Sequence, residues 1–372
     1  MAINETLLKS EEKAVYALRS LYSRHGYSQF KMSKFEEYDL YVKNKDFLVS
    51  DGIIAFTDTN GRLKALKPDV TLSIINNSKD SSGVQKLYYN ENVYRISGST
   101  HTYKEIMQAG LECIGQIGAF ETSEVLMLAA KSLETIDSDS CLELSHVGLI
   151  EAAFDELQLP ADLRRQVLTC ISRKNSDDLK VLCANSGLSL EVARRLSVFT
   201  ASYSDFNSAI NAVCDTFVSP TANAVANEFK QIAETLKSLT DIKIIVDFSA
   251  VGGMSYYSGV VFRGYINNIP DIVLSGGQYD KLMKKLHRTD KAIGFAVYLD
   301  NLNLYYRKQR DFDSDILILF DSADESVNLL SLVESFVDKG FSVRVELTVP
   351  DGYKAKTVYS YETGALREVS SC

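Results

Sequence analysis

The sequence predicts an α+β fold: an antiparallel sheet flanked by helices, with a helical insertion and a small C-terminal α/β unit. Three observations carry this. Two hairpin patterns stand in the first third of the chain. Helical, mixed and polar text then fills about residues 150 to 240, with strand-like segments on both sides. Past Asp311 the pattern changes to strand, helix, strand. The expected units are 1–312, holding the insertion at about 150–240, and 313–372.

At 372 residues the chain is long enough for a full core and more than one domain. Its 45% hydrophobic and 24% charged residues are ordinary for a globular protein. A formal charge of -9 argues against a broad nucleic-acid footprint, so no nucleic-acid partner is expected. No apolar run reaches membrane-spanning length, and M-A-I-N-E-T lacks a basic-then-apolar signal pattern. The expected location is the cytoplasm, with no membrane partner. The six cysteines and four histidines are scattered, without C-x-x-C or metal spacing, so neither a metal nor another cofactor is expected.

In chain order, Ala14, Val15, Leu18, Leu21 and Tyr22 fall on one face of a helix over about 11 to 24, stopped by Gly26. Asn60-Gly61 between two apolar-containing runs is a hairpin signal. Its second strand delivers Lys67, Pro68, Asp69 and Thr71 to its far end. On an extended segment Asp69 and Thr71 share a side and could hold an ammonium group; alternatively, one of them caps a following helix.

A second hairpin runs from K-L-Y-Y-N-E-N-V-Y-R-I-S to K-E-I-M-Q-A-G-L-E-C-I-G. Gln108, Gly110 and Glu112 lie at period two on one face. That face suits a small polar ligand, with Arg95 opposite as a carboxylate clamp; equally, it suits a solvated edge strand. Residues 122 to 135 read as a helix, and L-E-L-S-H-V-G-L-I as an apolar strand. Within the insertion Val225, Phe229, Ile232, Leu236 and Leu239 form a packing stripe. After I-K-I-I-V-D-F comes the stretch Asp247 to Asp280, where paired tyrosines follow two glycines and a second Gly-Gly-x-Tyr-Asp closes the pattern. Glycines there let the backbone approach a ligand that phenols contact. G-F-A-V-Y-L-D-N-L reads as a final helix, and the tail beyond Pro350 has little pattern.

Taken in order, L-K-P-D-V-T, V-Y-R, Q-A-G-L-E-C-I-G, M-S-Y-Y-S-G-V-V-F, S-G-G-Q-Y-D-K-L and I-G-F-A-V-Y-L-D-N-L resemble the catalytic core of histidyl-tRNA synthetase, a class II aminoacyl-tRNA synthetase, over roughly residues 10 to 310. The resemblance implies a histidine pocket. Asp69 and Thr71 match the pair that holds the amino group, and Arg95 matches the motif 2 arginine. Gln108 and Glu112 match the polar pocket floor, while Tyr257 and Tyr279 match the phenols around the imidazole.

Three positions depart from the synthetases. Gly252 and Asn301 stand where the family has arginines that serve the phosphate and ATP, and Arg95-Ile96-Ser97 lacks the acidic residue of R-x-E. Losing positioned positive charge removes most of what drives phosphoryl chemistry. An amino-acid half kept beside a nucleotide half lost resembles the regulatory subunits of ATP phosphoribosyltransferase, synthetase paralogues that partner a short catalytic subunit in the first step of histidine biosynthesis. The resemblance implies a non-catalytic protein, a homodimer alone, a larger hetero-oligomer with that subunit, and L-histidine as ligand. The alternative is a histidyl-tRNA synthetase, or another paralogue binding tRNA or a protein acceptor. The C-terminal unit resembles a truncated anticodon-binding domain whose acidic text is poor for tRNA.

Overall fold

In a computed structural model the described residues are 8–45, 48, 52–78, 83–97, 100–251, 257–305, 312–320, 326–362 and 364–371. The chain divides into two units, Met1–Tyr306 and Arg307–Cys372.

The first unit opens with α1 (Ser10–Arg24), which buries Ala14, Leu18 and Tyr22 on one face. Gly26 follows at φ +80°, a conformation that glycine adopts without steric cost. After β1 (Ser28–Gln29), β2 (Phe35–Glu37) and α2 (Tyr38–Val42), the Asn60-Gly61 turn joins β3 (Ala55–Thr57) to β4 (Leu63–Leu66). Asp58 Oδ1 accepts from the amides of Asn60 and Arg62, both at 2.8 Å, and so fixes the turn. These strands form a sheet of their own, in the order β2-β4-β3. The chain then enters α3 (Thr71–Asn77).

The second hairpin is β5 (Gln85–Ile96) and β6 (Tyr103–Gly115), in a register that sets Tyr89 against Gly110 and Leu87 against Glu112. Next come α4 (Ala119–Ile136) and β7 (Ser140–His146). The run L-E-L-S-H-V-G-L-I, expected as one strand, divides at His146. There Nδ1 accepts from the Gly148 amide at 3.1 Å and starts α5 (Val147–Glu156). An imidazole acting as a helix cap outweighs the apolar run that continues past it.

The insertion continues through α6 (Ala161–Ser172), α7 (Ser176–Asn185), α8 (Leu190–Leu196), α9 (Phe206–Thr216) and α10 (Pro220–Leu239). In the packing stripe Phe229, Ile232 and Leu236 are buried, while Leu239 at the helix end is exposed. The chain returns as β8 (Lys243–Val246), β9 (Val260–Ile266), β10 (Leu274–Gln278), α11 (Asp280–Lys285), β11 (Lys291–Tyr298) and α12 (Asp300–Tyr305). The segment expected as a final helix is therefore mainly strand. Gly294 to Tyr298 are hydrogen-bonded between β6 and β10, and pairing on both sides overrides an apolar pattern that periodicity alone leaves ambiguous.

The main sheet has eight strands in the order β1-β5-β6-β11-β10-β9-β7-β8. Its six central strands are antiparallel, and β1 and β8 run parallel to their neighbours at the two edges. The insertion thus joins β7 to β8, neighbours at one edge of the sheet. Helices α1 and α4 cover one face: Tyr22 packs edge-on to Phe295 and its phenol meets Ser132 Oγ at 3.0 Å, while Leu133 fills the space over Gly264. The opposite face carries Gln108, Gly110 and Glu112. Among the described residues no helix is long and apolar enough to cross a membrane.

The second unit is a four-stranded sheet, order β13-β12-β14-β15, built from β12 (Ser314–Phe320), α13 (Ser326–Val337), β13 (Val343–Glu346), β14 (Ala355–Glu362) and β15 (Ala365–Ser371). Ile316, Ile318, Leu329 and Tyr361 make its core. The tail beyond Pro350, which has little pattern in the sequence, supplies two of the strands. β14 is half-buried along most of its length, so it carries no sharp alternation for periodicity to detect.

Candidate functional site

On the open face of the main sheet lies a narrow cavity of about 50 Å³. At roughly 10–15 Å³ per water centre it admits about four waters, so it suits a small polar molecule. Asp69, Thr71, Arg95, Gln108, Glu112, Tyr257 and Tyr279 all line it. Period-two alternation puts Gln108 and Glu112 on the cavity face of β6, where they are 3% and 1% exposed. Water screens neither of them, and both answer to the groups around them.

Asp69 and Thr71 reach the cavity by a route different from the extended one. They straddle the start of α3, where Asp69 Oδ1 accepts from the Leu72 amide at 2.8 Å, the hydrogen bond of a helix N-terminal cap. Capping and lining the cavity are thus one placement. Thr71 Oγ1 donates to Glu112 Oε1 at 2.7 Å, and the Tyr279 phenol donates to Glu112 Oε2 at 2.5 Å. Arg95 Nε donates to the Pro68 carbonyl at 3.0 Å, which fixes the guanidinium beside Asp69.

Three glycines of the floor make room for the protein's own side chains. A Cβ on Gly110 would stand 2.5 Å from the Tyr89 phenol oxygen, one on Gly294 1.8 Å from Glu112 Oε2, and one on Gly277 2.7 Å from the Tyr257 ring. The space over Gly110 is therefore filled by Tyr89, itself 2% exposed. Tyr89, Ser275, Gly294 and Tyr298 also line the cavity and escape a reading of the sequence alone. Their only signal is a tyrosine or small residue at period two on strands whose face is not yet known.

Burial dominates the electrostatics. Desolvation pushes the Glu112 carboxyl up to about 8, against the lowering effect of the Tyr279 and Thr71 hydrogen bonds, and the nearby Asp69 carboxyl pushes the same way as burial. Desolvation also raises Asp69, opposed by the Leu72 amide and by Arg95. Burial holds the Tyr89 and Tyr279 phenols well above their usual range, so both are neutral donors. The cavity thus sets two desolvated carboxyls, both raised toward their neutral forms, beside one guanidinium. Among the described residues no group of three or more His, Cys, Asp or Glu side chains could hold a metal ion.

Of the departures from the synthetase pattern, Gly252 lies outside the described residues. Asn301 does not: its Nδ2 donates to the Ile272 carbonyl at 3.1 Å, which ties the side chain to the main chain.

A family model described as histidyl-tRNA synthetase matches residues 3–302. Among curated relatives, an ATP phosphoribosyltransferase regulatory subunit from Clostridium botulinum is 26% identical over 343 residues, covering 89% of this chain and 78% of the relative. A histidine--tRNA ligase from Methanococcus maripaludis is 24% identical over 357 residues, covering 91% and 83%. Among solved structures, the ATP phosphoribosyl transferase (HisG:HisZ) complex from Thermotoga maritima contains a chain that matches with a TM-score of 0.61 and 22% identity, covering 78% of this chain and 97% of that one.

Proposed function

The chain belongs to the histidyl-tRNA synthetase family, and from that premise we propose that it is a non-catalytic regulatory subunit of ATP phosphoribosyltransferase, working with a short catalytic subunit in the first step of histidine biosynthesis. The observation that carries this reading is Asn301. Where the synthetase pattern has an ATP-stacking arginine, a neutral amide is bonded to Ile272 O. A site that activates an amino acid depends on positive charge placed around the phosphates. Regulatory relatives such as the Clostridium botulinum protein support the same assignment.

In this reading the cavity takes free L-histidine. Asp69 and Thr71 meet the ammonium group, Arg95 meets the carboxylate, Gln108 and Glu112 form the polar floor, and Tyr257 and Tyr279 stand around the imidazole. Glu112, whose oxygens already accept from Thr71 and Tyr279, is protonated when desolvated and releases that proton to solvent as a cationic ring enters. Histidine then shifts the activity of the complex by binding one of its states better than another; only that difference in affinity can transmit the signal. The protein is a homodimer alone and part of a larger hetero-oligomer with its catalytic partner, located in the cytoplasm.

The test is to co-express the chain with the short-form catalytic subunit encoded in the same genome and to measure phosphoribosyl-ATP formation. Expected are activation by this chain and inhibition by histidine. Robust pyrophosphate exchange by the isolated chain with histidine and ATP would sink the reading in favour of a synthetase.

A further inference from the structure

Along β11 the residues facing the cavity grow from Gly294 to Ala296 to Tyr298. They pair with Glu112, Gly110 and Gln108 of β6, and on the other side Gly294 and Ala296 pair with Gly277 and Ser275 of β10. From Gly294 to Tyr298 this strip of floor runs about 13 Å, four strand rises, and the side chains of Glu112, Tyr89 and Tyr257 stand over its glycines and those beside it. At its far end the side chains of Tyr298 and Ser275 meet across the strands, phenol oxygen to hydroxyl, at 2.7 Å. The Tyr298 backbone is pinned as well: its amide donates to Val273 O at 2.8 Å, and the next amide, of Leu299, donates to Met107 O at 3.0 Å. Just beyond, Asn301 in α12 is fastened to the Ile272 carbonyl ahead of β10. An aromatic ring so held cannot swing aside without breaking its bond to Ser275.

From this geometry we infer that Tyr298, braced by Ser275, is an end-stop that sets the length of the ligand: the cavity accepts a free amino acid and rejects the same amino acid carrying an adenylate. This rests on the amino-acid reading of the cavity and extends it to specificity. The stop acts by volume. The carboxyl end of a zwitterion fits short of the ring, whereas an adenosine phosphate joined to that carboxyl would need the space the ring fills. Tyr298 is thus a specificity-determining residue with no chemical role.

The experiment is isothermal titration of the full chain and its Tyr298→Ala, Tyr298→Phe and Ser275→Ala variants with L-histidine, ATP and a non-hydrolysable sulfamoyl analogue of histidyl-adenylate. Circular dichroism and thermal melts establish that each variant is folded. The reading is the affinity for the analogue relative to histidine. Tyr298→Ala is expected to raise that ratio at least about tenfold. Tyr298→Phe and Ser275→Ala each keep the ring but remove its bond across the strands, and each is expected to raise the ratio by a smaller factor than Tyr298→Ala. An unaltered chain that binds the analogue as tightly as histidine overturns the end-stop, and so does a folded Tyr298→Ala chain with an unchanged ratio. If the unaltered chain binds no histidine yet Tyr298→Ala gains affinity for the analogue or ATP, the end-stop stands and the amino-acid reading fails. If it binds both ligands equally, the reverse holds.

Discussion

Tyr279 donates a 2.5 Å hydrogen bond to Glu112 although 167 residues separate them, joining the mouth of α11 to the middle of β6. Thr71 holds the other oxygen of the same carboxyl. One side chain therefore ties together three parts of the chain, each from a different stretch of sequence, and its protonation state is shared by all of them.

The first consequence concerns pH and stability. Burial raises Glu112 from 4.5 to about 8, so the folded protein holds a proton that the unfolded chain has released across that window. Its contribution is therefore fully present below about pH 4.5 and is lost as pH rises toward 8, by at most about 1.4 kcal/mol per unit. Glu112→Gln removes the slope. Urea unfolding at pH 5, 6.5 and 8 should show the variant gaining on the unaltered protein at each step. Parallel profiles would contradict it.

His146 bears the opposite sign. Desolvation lowers it from 6.5 to about 4, so the unfolded chain takes up a proton first and stability is lost as pH falls from about 6.5 through 4. The neutral ring is also what lets Nδ1 accept from the Gly148 amide. An NMR titration should find this imidazole neutral until close to pH 4. A midpoint near 6.5 would show that it is not buried as described.

Two substitutions test the ligand. Glu112→Ala should weaken L-histidine binding by about tenfold or more, since hydrogen bonds to charged groups contribute about 1.5–3 kcal/mol. Tyr257→Phe, which removes one hydroxyl, should weaken it about three- to tenfold. Calorimetry on the chain and on its complex decides; affinities unchanged in both settings would place the ligand elsewhere.

Gly294→Ala puts a methyl group 1.8 Å from Glu112 Oε2 and 2.5 Å from the Leu111 carbonyl. The backbone carbonyl cannot yield, so Glu112 must move. Expected are a stability loss of about 1–3 kcal/mol and a loss of histidine affinity out of proportion to it. Normal affinity in a folded variant would mean that the carboxyl position is unimportant.

Lys67 is fully buried, with its ammonium 2.6 Å from Glu91. Removing only the acid leaves a buried charge, which typically costs about 3–5 kcal/mol. Glu91→Ala should therefore shift the urea midpoint strongly, whereas the double change to Lys67→Met and Glu91→Leu should recover most of the loss. A single variant as stable as the parent would show that water reaches Lys67.

Local rules made much of this molecule legible. Asn60-Gly61 specified a turn because its backbone geometry depends on two residues, and the alternation of Gln108 and Glu112 placed both on one face whatever the partner strands. Legibility ended where neighbours decide. Gly294 to Tyr298 became a strand because β6 and β10 bond to both its edges, and no window of sequence contains that fact. Gly110 was visibly needed, but only the fold identifies Tyr89 as the group it accommodates. The same limit hid Tyr298 and Ser275, which are 23 residues apart in sequence and bonded across two strands.

Asp69 carries the shorter of the two acidic side chains, one methylene less than glutamate. Aspartate caps helices well, and the carboxylate in fact binds the Leu72 amide. The shorter side chain moves reach out of the cavity and into the scaffold. An ammonium group arriving there meets an acid already engaged by the first turn of α3, so its grip is set partly by how firmly that turn is wound. On the proposed reading, fraying of the helix would loosen the ligand, and the Leu72 amide would report occupancy.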